Sequence, residues 1–147
     1  MTTLPSPHKL PSLAELAEEF FLYEPRSVER YQAIIDLGRQ LEPMPDALKT
    51  DATKVRGCSS STWVYPTRLP DGRLHFLADS NAAITKGVVA LVLAAVQDRP
   101  PAEVAEIDIR ALLEPFDLTR ELSSNRTQGV PNMIALVHDT ARRLAAA

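Results

Sequence analysis

The feature that most constrains the fold is a charge-free run of ten apolar or small residues at positions 87–96. Together with the residues from Ala82 onward, it predicts a helix that is apolar on most sides and ends at Val96 or Gln97. The run is too short to cross a bilayer, which needs about 20 apolar residues. It therefore predicts a central buried helix that other elements must surround, and no membrane partner.

Two details of this helix give further expectations. Asp79, Ser80 and Asn81 precede it, and such residues commonly cap the first turn of a helix. Gly87 lies inside it and costs about 1 kcal/mol relative to alanine. We therefore expect a close packing contact at Gly87 that a larger residue would block.

Two amphipathic helices are predicted upstream. Apolar residues recur at helical spacing over residues 13–22, where Ser12 and Glu15 form a capping box. A second helix is expected over residues 27–41, ending before Pro43. Its predicted buried stripe consists of Val28, Tyr31, Ile34, Ile35 and Leu37.

A β-hairpin is predicted in the middle of the chain. β-Branched and aromatic residues at 62–65 and 74–77 flank a Pro-Asp-Gly sequence, which is typical of a type I turn between strands. Trp63, in the first strand, is expected mainly in the core. Three or four helices follow, the last with an apolar stripe between Val130 and Leu144. Because strands and helices are segregated, we expect an α+β fold: a small antiparallel sheet, the hairpin with an optional third strand, packed against several helices.

Length and charge exclude several classes of protein. The 147 residues suit one domain, which we expect over residues 13–147 after a flexible Pro-, Ser- and Thr-rich tail at residues 1–12. The formal net charge of −3 and the lack of a polybasic run exclude a typical nucleic-acid binder. The tail has no apolar core of a signal peptide, so a cytoplasmic location is expected.

Motifs of several common chemistries are missing from the sequence. The five glycines form no phosphate-binding loop, and no serine lies in a G-x-S-x-G elbow. The three histidines, His8, His75 and His138, lack metal-ligand spacing, and one cysteine makes neither a disulfide nor a cysteine-rich zinc site. No metal site is therefore predicted.

The single cysteine, Cys58, has an informative setting. It follows Gly57 at the end of a polar, aperiodic segment over residues 46–56 and precedes the first strand. Cysteines presented on loops are more often functional than those in a helix stripe. Lys54 and Arg56 lie close enough in sequence to favour a thiolate. A cysteine hydrolase is disfavoured, since His75 would have to reach Cys58 through the fold alone.

Four blocks of sequence resemble the SufE family of sulfur acceptors in iron–sulfur cluster assembly. Residues 55–63, VRGCSSSTW, resemble its V-x-G-C-x-S-x-x-W segment. Residues 31–38 resemble its Y-x-x-I-I-x-L-G helix, residues 79–87 its D-S-x-A-x-I-x-K-G block, and residues 126–129 its S-R-x-x-G block, in which Asn125 replaces the serine. Serines stand where glutamine is frequent at positions 59 and 61, so a CsdE-type paralogue is an open alternative.

The resemblance implies a fold shared with IscU-type scaffolds and a defined reaction. A cysteine desulfurase of the SufS or CsdA type, which carries its own pyridoxal phosphate, would form a persulfide. The Cys58 thiolate would take the outer sulfur, stimulate the desulfurase and pass the sulfur to a SufBCD-type scaffold. The chain would thus be a sulfurtransferase-type carrier without a cofactor of its own, as a monomer or weak homodimer. Because a persulfide is labile in water, we expect an apolar shelter and a loop within residues 46–61 that moves on docking.

Four further residues are candidates for supporting this role. Gly57 would shape the loop, and Trp63 would serve secondarily as a pocket wall. Arg126 either caps nearby carbonyls or contacts the desulfurase, and Asn81 either begins a helix or faces the partner beside the Cys58 loop. Two alternatives to sulfur carriage stay open: a regulatory adaptor of the desulfurase, and a redox-sensing thiol domain.

Overall fold

The computed structural model describes residues 10–24, 27–57, 60–118 and 129–146. Within these ranges the chain forms six helices and a two-stranded antiparallel sheet, so the predicted α+β class is confirmed. In chain order the elements are α1 (Leu13–Phe20), α2 (Val28–Gly38), β1 (Thr62–Arg68), β2 (Leu74–Ser80), α3 (Ala83–Val96), α4 (Pro101–Glu106), α5 (Ile109–Leu113) and α6 (Gly129–Ala146). Two 3-10 turns lie at Asp46–Leu48 and Glu114–Phe116.

Helix α3 is the buried centre of the fold, as the apolar run predicts. Ten of its residues are buried, and those at positions 88–93 are at most 1% exposed. The predicted cap is wrong, because the residue before the helix is Ala82 and no side chain caps the first turn. Asp79 and Ser80 belong instead to β2, where hydrogen bonding along the strand keeps them extended.

The expected close contact at Gly87 is confirmed. A Cβ atom at Gly87 would lie 2.0 Å from the carbonyl oxygen of Ile34 in α2, and one at Gly38 would lie 2.8 Å from the Gly87 nitrogen. The backbones of α2 and α3 therefore touch at a point that only glycine permits. This contact fixes where the two helices cross.

The predicted stripe on α2 is only partly correct. Ile34 and Leu37 are buried, but Val28 is 81% and Tyr31 51% exposed. The reason is the position of the crossing: α3 meets the C-terminal half of α2, around Ile34 and Gly38, and leaves the first turns uncovered. Both N-terminal helices also end earlier than expected, at Phe20 and Gly38.

The predicted hairpin is present, with Val64 opposite Ala78 and Thr62 opposite Ser80 in its antiparallel pairing. Its turn closes through a 2.8 Å hydrogen bond from the Gly72 nitrogen to the Leu69 oxygen, and Gly72 adopts a φ of 92° that favours glycine. Burial alternates along the whole of β2, and in β1 over the first four residues, as it does where one face meets a core. Trp63 points to the other face, so the expectation that it lies mainly in the core is wrong.

The two sides of the hairpin are covered without a full third strand among the described residues. Lys54 forms an isolated antiparallel bridge with Trp63, and Arg99 forms one with Leu74. The Gln97 side chain adds a pair of hydrogen bonds to the backbone of Phe76, accepting at 2.7 Å and donating at 2.8 Å. The end of α3 is thus fastened to the outer edge of β2.

The remaining helices close around α3. Side chains from all six helices and both strands join one hydrophobic cluster, and α6 packs against α4 with the predicted stripe of Val130, Met133, Ile134, Val137 and Ala141 buried. Of the predicted tail, residues 1–9 lie outside the described residues, while Leu10 packs against the cluster and Ser12 caps α1. No helix in the described parts of the chain is long and apolar enough to span a membrane.

Substitution of Gly87 by alanine tests the helix contact. Alanine normally favours a helix by about 1 kcal/mol over glycine. Here its methyl group would meet the backbone of Ile34, so we expect the free energy of unfolding to fall by about 2–3 kcal/mol, as for an overpacked core. Urea denaturation measures this change. An increase in stability, as at an ordinary helical glycine, would contradict the close contact.

Candidate functional site

The candidate site is the loop over residues 56–61, which carries the single cysteine between two paired segments. At its base the Val55 nitrogen donates to the Thr62 oxygen at 2.7 Å, and the Val64 nitrogen donates to the Thr53 oxygen at 2.9 Å. The two ends of the loop are therefore held side by side. Cys58 lies outside the described residues, so the site is defined here by its flanks.

In the described part of the chain, each flank of the loop accepts a hydrogen bond from a residue far away in sequence. The Asn132 side chain in α6 donates through Nδ2 to the Arg56 oxygen at 2.7 Å. The backbone nitrogen of Asn81, between β2 and α3, donates to the Ser61 oxygen at 2.9 Å. The bond to Ser61 continues the hairpin ladder by one pair beyond Thr62 and Ser80, whereas the bond to Arg56 joins the loop to α6.

Gly57 shows why glycine precedes the cysteine. Its φ is 87°, in the left-handed region that other residues adopt only at a cost. Gly57 and Arg56 are both exposed, so this side of the loop is open to a second molecule. The predicted role of Gly57 in shaping the loop agrees with this geometry.

Buried hydroxyl groups tie together the strand ends below the loop. The Thr62 hydroxyl donates to the Ser80 hydroxyl oxygen at 2.9 Å, and both residues are at most 7% exposed. The Ser80 oxygen also accepts from the Ala82 nitrogen at 3.3 Å. The start of β1, the end of β2 and the approach to α3 are therefore linked directly under the site.

A charged cluster lies on the outer face of the hairpin, one residue along the strands from the hydrogen bond between Thr62 and Ser80. Asp79 binds Lys49 at 2.8 Å and Lys86 at 3.1 Å. The Lys49 ammonium also lies 5.6 Å from the centre of the Trp63 ring, within the range of a cation–π interaction. Lys86 and Lys49 therefore share one partly buried carboxylate.

The cluster shifts the pKa values of Asp79 and Lys49. Burial alone would raise the pKa of Asp79, but hydrogen bonds from Lys49 and Lys86 outweigh it and hold that pKa below 3.8. The hydrogen bond to Asp79 raises the pKa of the Lys49 ammonium above 10.5, although partial desolvation opposes it. Both shifts favour the charged forms of Asp79 and Lys49.

The segment that precedes the cysteine loop makes contacts with the rest of the fold. The segment before the loop contains a 3-10 turn at Asp46–Leu48, the ion-paired Lys49 and the paired residues Thr53 and Val55. Residues 46–55 are therefore held by contacts with the rest of the fold, and movement of a loop within residues 46–61 on docking stays a prediction.

His75 is not available to activate the cysteine. Its Nδ1 lies 2.6 Å from Asp98 and its Nε2 lies 3.1 Å from Glu42. It is five residues from Ser80 along β2, a separation of about 17 Å at the rise of a strand. A cavity of about 850 Å³ adjoins this triad at the end of the sheet away from the loop.

The predicted site residues fall into two groups. Gly57, Asn81 and Trp63 are described, and the first two belong to the loop flanks, where Asn81 is exposed as the partner-facing hypothesis requires. Cys58 and Arg126 lie outside the described residues, so their roles remain predictions. Within the described residues no cluster of histidine, cysteine and carboxylate side chains could hold a metal.

Two residues of the site could not be found from the sequence alone. Asn132 is 76 positions from Arg56, and an isolated asparagine near the start of a helix signals nothing about a distant carbonyl. Lys49 pairs with Asp79 across 30 positions, and no local pattern around either residue signals that ion pair. The block over residues 79–87 did contain the other two members of the charged cluster, Asp79 and Lys86.

Acid should release the stabilisation that Asp79 provides. Because its pKa in the folded state lies below the ordinary 3.8, its contribution is fully present above that value and is lost as pH falls through the folded value. We expect Asp79→Asn to be less stable than the native chain at pH 7, by an amount that shrinks toward pH 3. Urea midpoints at both pH values measure it. An equal difference at both would contradict the prediction, and the exposed Asp139→Asn serves as the control.

Comparison with known proteins identifies the family. The family model for SufE, described as an Fe-S metabolism associated domain, matches residues 14–141. The solution structure of a hypothetical protein from Thermus thermophilus superposes with a TM-score of 0.71 over 95% of this chain and 100% of that one, at 15% sequence identity. That likeness concerns the fold alone, whereas the family match spans most of the sequence. The chain belongs to the SufE family.

Proposed function

We propose that this protein accepts sulfur on Cys58 from the persulfide of a pyridoxal-phosphate-dependent cysteine desulfurase. The observation that carries the proposal is the match to the SufE domain of Fe-S metabolism over a chain with a single cysteine. The cysteine directly follows Gly57, and the flanking residues Arg56 and Gly57 are exposed. A thiol in such a loop is the one group of the chain suited to covalent sulfur carriage.

The transfer is a thiol–persulfide exchange and needs no external oxidant. The Cys58 thiolate attacks the outer sulfur of the desulfurase persulfide, and a new S–S bond forms on Cys58. The S–S bond within the donor breaks, and its electron pair leaves with the desulfurase cysteine as a thiolate. Sulfur moves as a sulfane atom, so one thiol and one persulfide are consumed and one of each is formed.

The exchange also explains stimulation of the desulfurase and delivery of the sulfur. Removal of the persulfide frees the desulfurase cysteine for another turnover. A second exchange, with a thiol of a SufBCD-type scaffold as the attacking group, releases the sulfur for cluster assembly. The pyridoxal phosphate stays in the desulfurase throughout, and we propose no cofactor for this chain.

Several neighbouring residues would support the docked state. Asn81 is exposed beside the Ser61 flank, where a partner covering the loop would contact it. Arg126 would contact the desulfurase near its active site. Trp63, partly buried beneath the Lys49 ammonium, would form a wall against which the sulfur is sheltered from water. These roles follow from the proposed reaction.

Intact-mass analysis tests sulfur transfer directly. We expect a mixture with a cysteine desulfurase and L-cysteine to add one or more sulfur atoms to the native chain and none to Cys58→Ser. Ser60→Ala, a substitution in the same loop, should still acquire sulfur and serves as the matched control. Treatment with a thiol reductant should remove the added mass, since a persulfide is reducible.

Two other outcomes would contradict the proposal. If Cys58→Ser stimulates the desulfurase as fully as the native chain and no sulfur adduct forms, the protein is a regulatory adaptor. If Cys58 is oxidised rapidly by peroxide without a partner and never acquires sulfur, it is a redox-sensing thiol. The latter would lack the intrachain resolving cysteine that such sensors often use.

A further inference from the structure

The two hydrogen bonds that hold the cysteine loop differ in how they depend on sequence. The bond to Ser61 comes from the backbone nitrogen of Asn81, which any residue except proline supplies. The bond to Arg56 comes from the side chain of Asn132, so the residue at position 132 decides whether it exists. Among the described residues, position 132 therefore supplies a side-chain hydrogen bond from another element to the loop.

The carbonyl that Asn132 holds is well placed to direct the chain into the cysteine. The Arg56 carbonyl and the Gly57 nitrogen belong to one planar peptide unit. Holding the carbonyl oxygen at 2.7 Å fixes the orientation of that plane, from which Gly57 turns with its φ of 87°. Glycine alone has wide freedom at this point, so the direction of the chain entering Cys58 depends on an external anchor.

The anchor itself is rigid. Asn132 lies near the start of α6, between Val130 and Met133, which are each 1% exposed, and beside the buried Ile134. Asn132 itself is exposed and contributes little to the core. A donor carried on a firmly packed helix holds its acceptor in one place, whereas its removal leaves no cavity.

From this geometry we infer that Asn132 is a positioning residue for sulfur transfer. Its side-chain amide holds the Arg56–Gly57 peptide so that the loop presents the Cys58 thiol to the donor persulfide. The inference rests on the proposed function of Cys58. It adds that α6, through one neutral hydrogen bond, sets the reactivity of the loop.

Variants at position 132 separate the hydrogen bond from packing. Asn132→Ala removes the donor, Asn132→Asp keeps the shape but accepts instead of donating at neutral pH, and Asn132→Gln keeps the amide. For Ala and Asp we expect the maximal rate of persulfide formation to fall about three- to tenfold, the factor for one neutral hydrogen bond. The half-saturating concentration of the protein should stay within about twofold, because the inference gives Asn132 a positioning role and no contact with the desulfurase.

The controls exclude a merely structural effect. Asn132→Gln should recover at least part of the rate, and Gln40→Ala, which removes an exposed amide from a site beyond the end of α2, should leave it unchanged. Thermal midpoints of all variants should agree within about 3 °C, since the substituted side chains are exposed. Rates for Ala and Asp equal to the native rate would overturn the inference, and so would a loss in Gln40→Ala of the same size.

Hydrogen exchange keeps this test separate from that of the proposed function. In the protein alone, amide exchange in residues 55–62 should be faster in Asn132→Ala than in the native chain, with the rest of the molecule unchanged. Unchanged exchange would overturn the anchor whether or not sulfur is transferred. If the native chain acquires no sulfur while exchange does accelerate, the proposed function fails and the anchor alone stands.

Discussion

The contact between α2 and α3 at Gly38 and Gly87 is the constraint on which the rest of the structure depends. A methyl group at Gly87 would lie 2.0 Å from the Ile34 oxygen, so neither helix can shift there without a clash or a void. Because α3 is buried nearly all round, every other element is placed relative to it. Its C-terminal end is fastened to β2 through Gln97, and its start follows β2 directly. The base of the cysteine loop, built on β1 and β2, therefore inherits its position from the helix crossing.

Local periodicity was sufficient to predict most of the fold. The apolar run of α3, the hairpin turn and the stripe on α6 are features of neighbouring residues, and each appears in the structure. Predictions that depended on which surface a neighbouring helix or strand covers were wrong. Spacing marks a face of α2, but only the position of α3 decides that Val28 and Tyr31 stay uncovered. Likewise, β1 has two faces with plausible core residues, and packing against the hydrophobic cluster buries Val64 rather than Trp63.

The candidate site, like the fold, could be predicted only where its features are local in the sequence. Gly57 and Cys58 are recognisable because the requirement for glycine and the thiol both lie in the loop itself. The hydrogen bonds that anchor the loop could not be predicted from the sequence, for two different reasons. Asn81 acts through its backbone, which leaves no preference for a residue type, and Asn132 acts across 76 positions. The charged cluster could be predicted only in part. Asp79 and Lys86 lie in one recognisable sequence block, whereas Lys49 comes from the segment before the cysteine loop.

The cysteine loop is short, and the residues at its two ends, Val55 and Thr62, are paired with each other. This affects the free energy of docking. Ordering one residue costs about 1–2 kcal/mol of backbone entropy, so a long free segment would consume much of the binding energy of a partner. Here residues 46–55 are already ordered by a 3-10 turn, an ion pair and strand-like pairing. Only six residues separate the paired ends, and the carbonyls of Arg56 and Ser61 are already held. Binding energy is thus available to orient the reacting sulfur atoms, where a small misplacement slows exchange most. The two donors that anchor the loop, the Asn132 amide and the Asn81 backbone nitrogen, are both neutral. They therefore hold the loop without adding a charge to it.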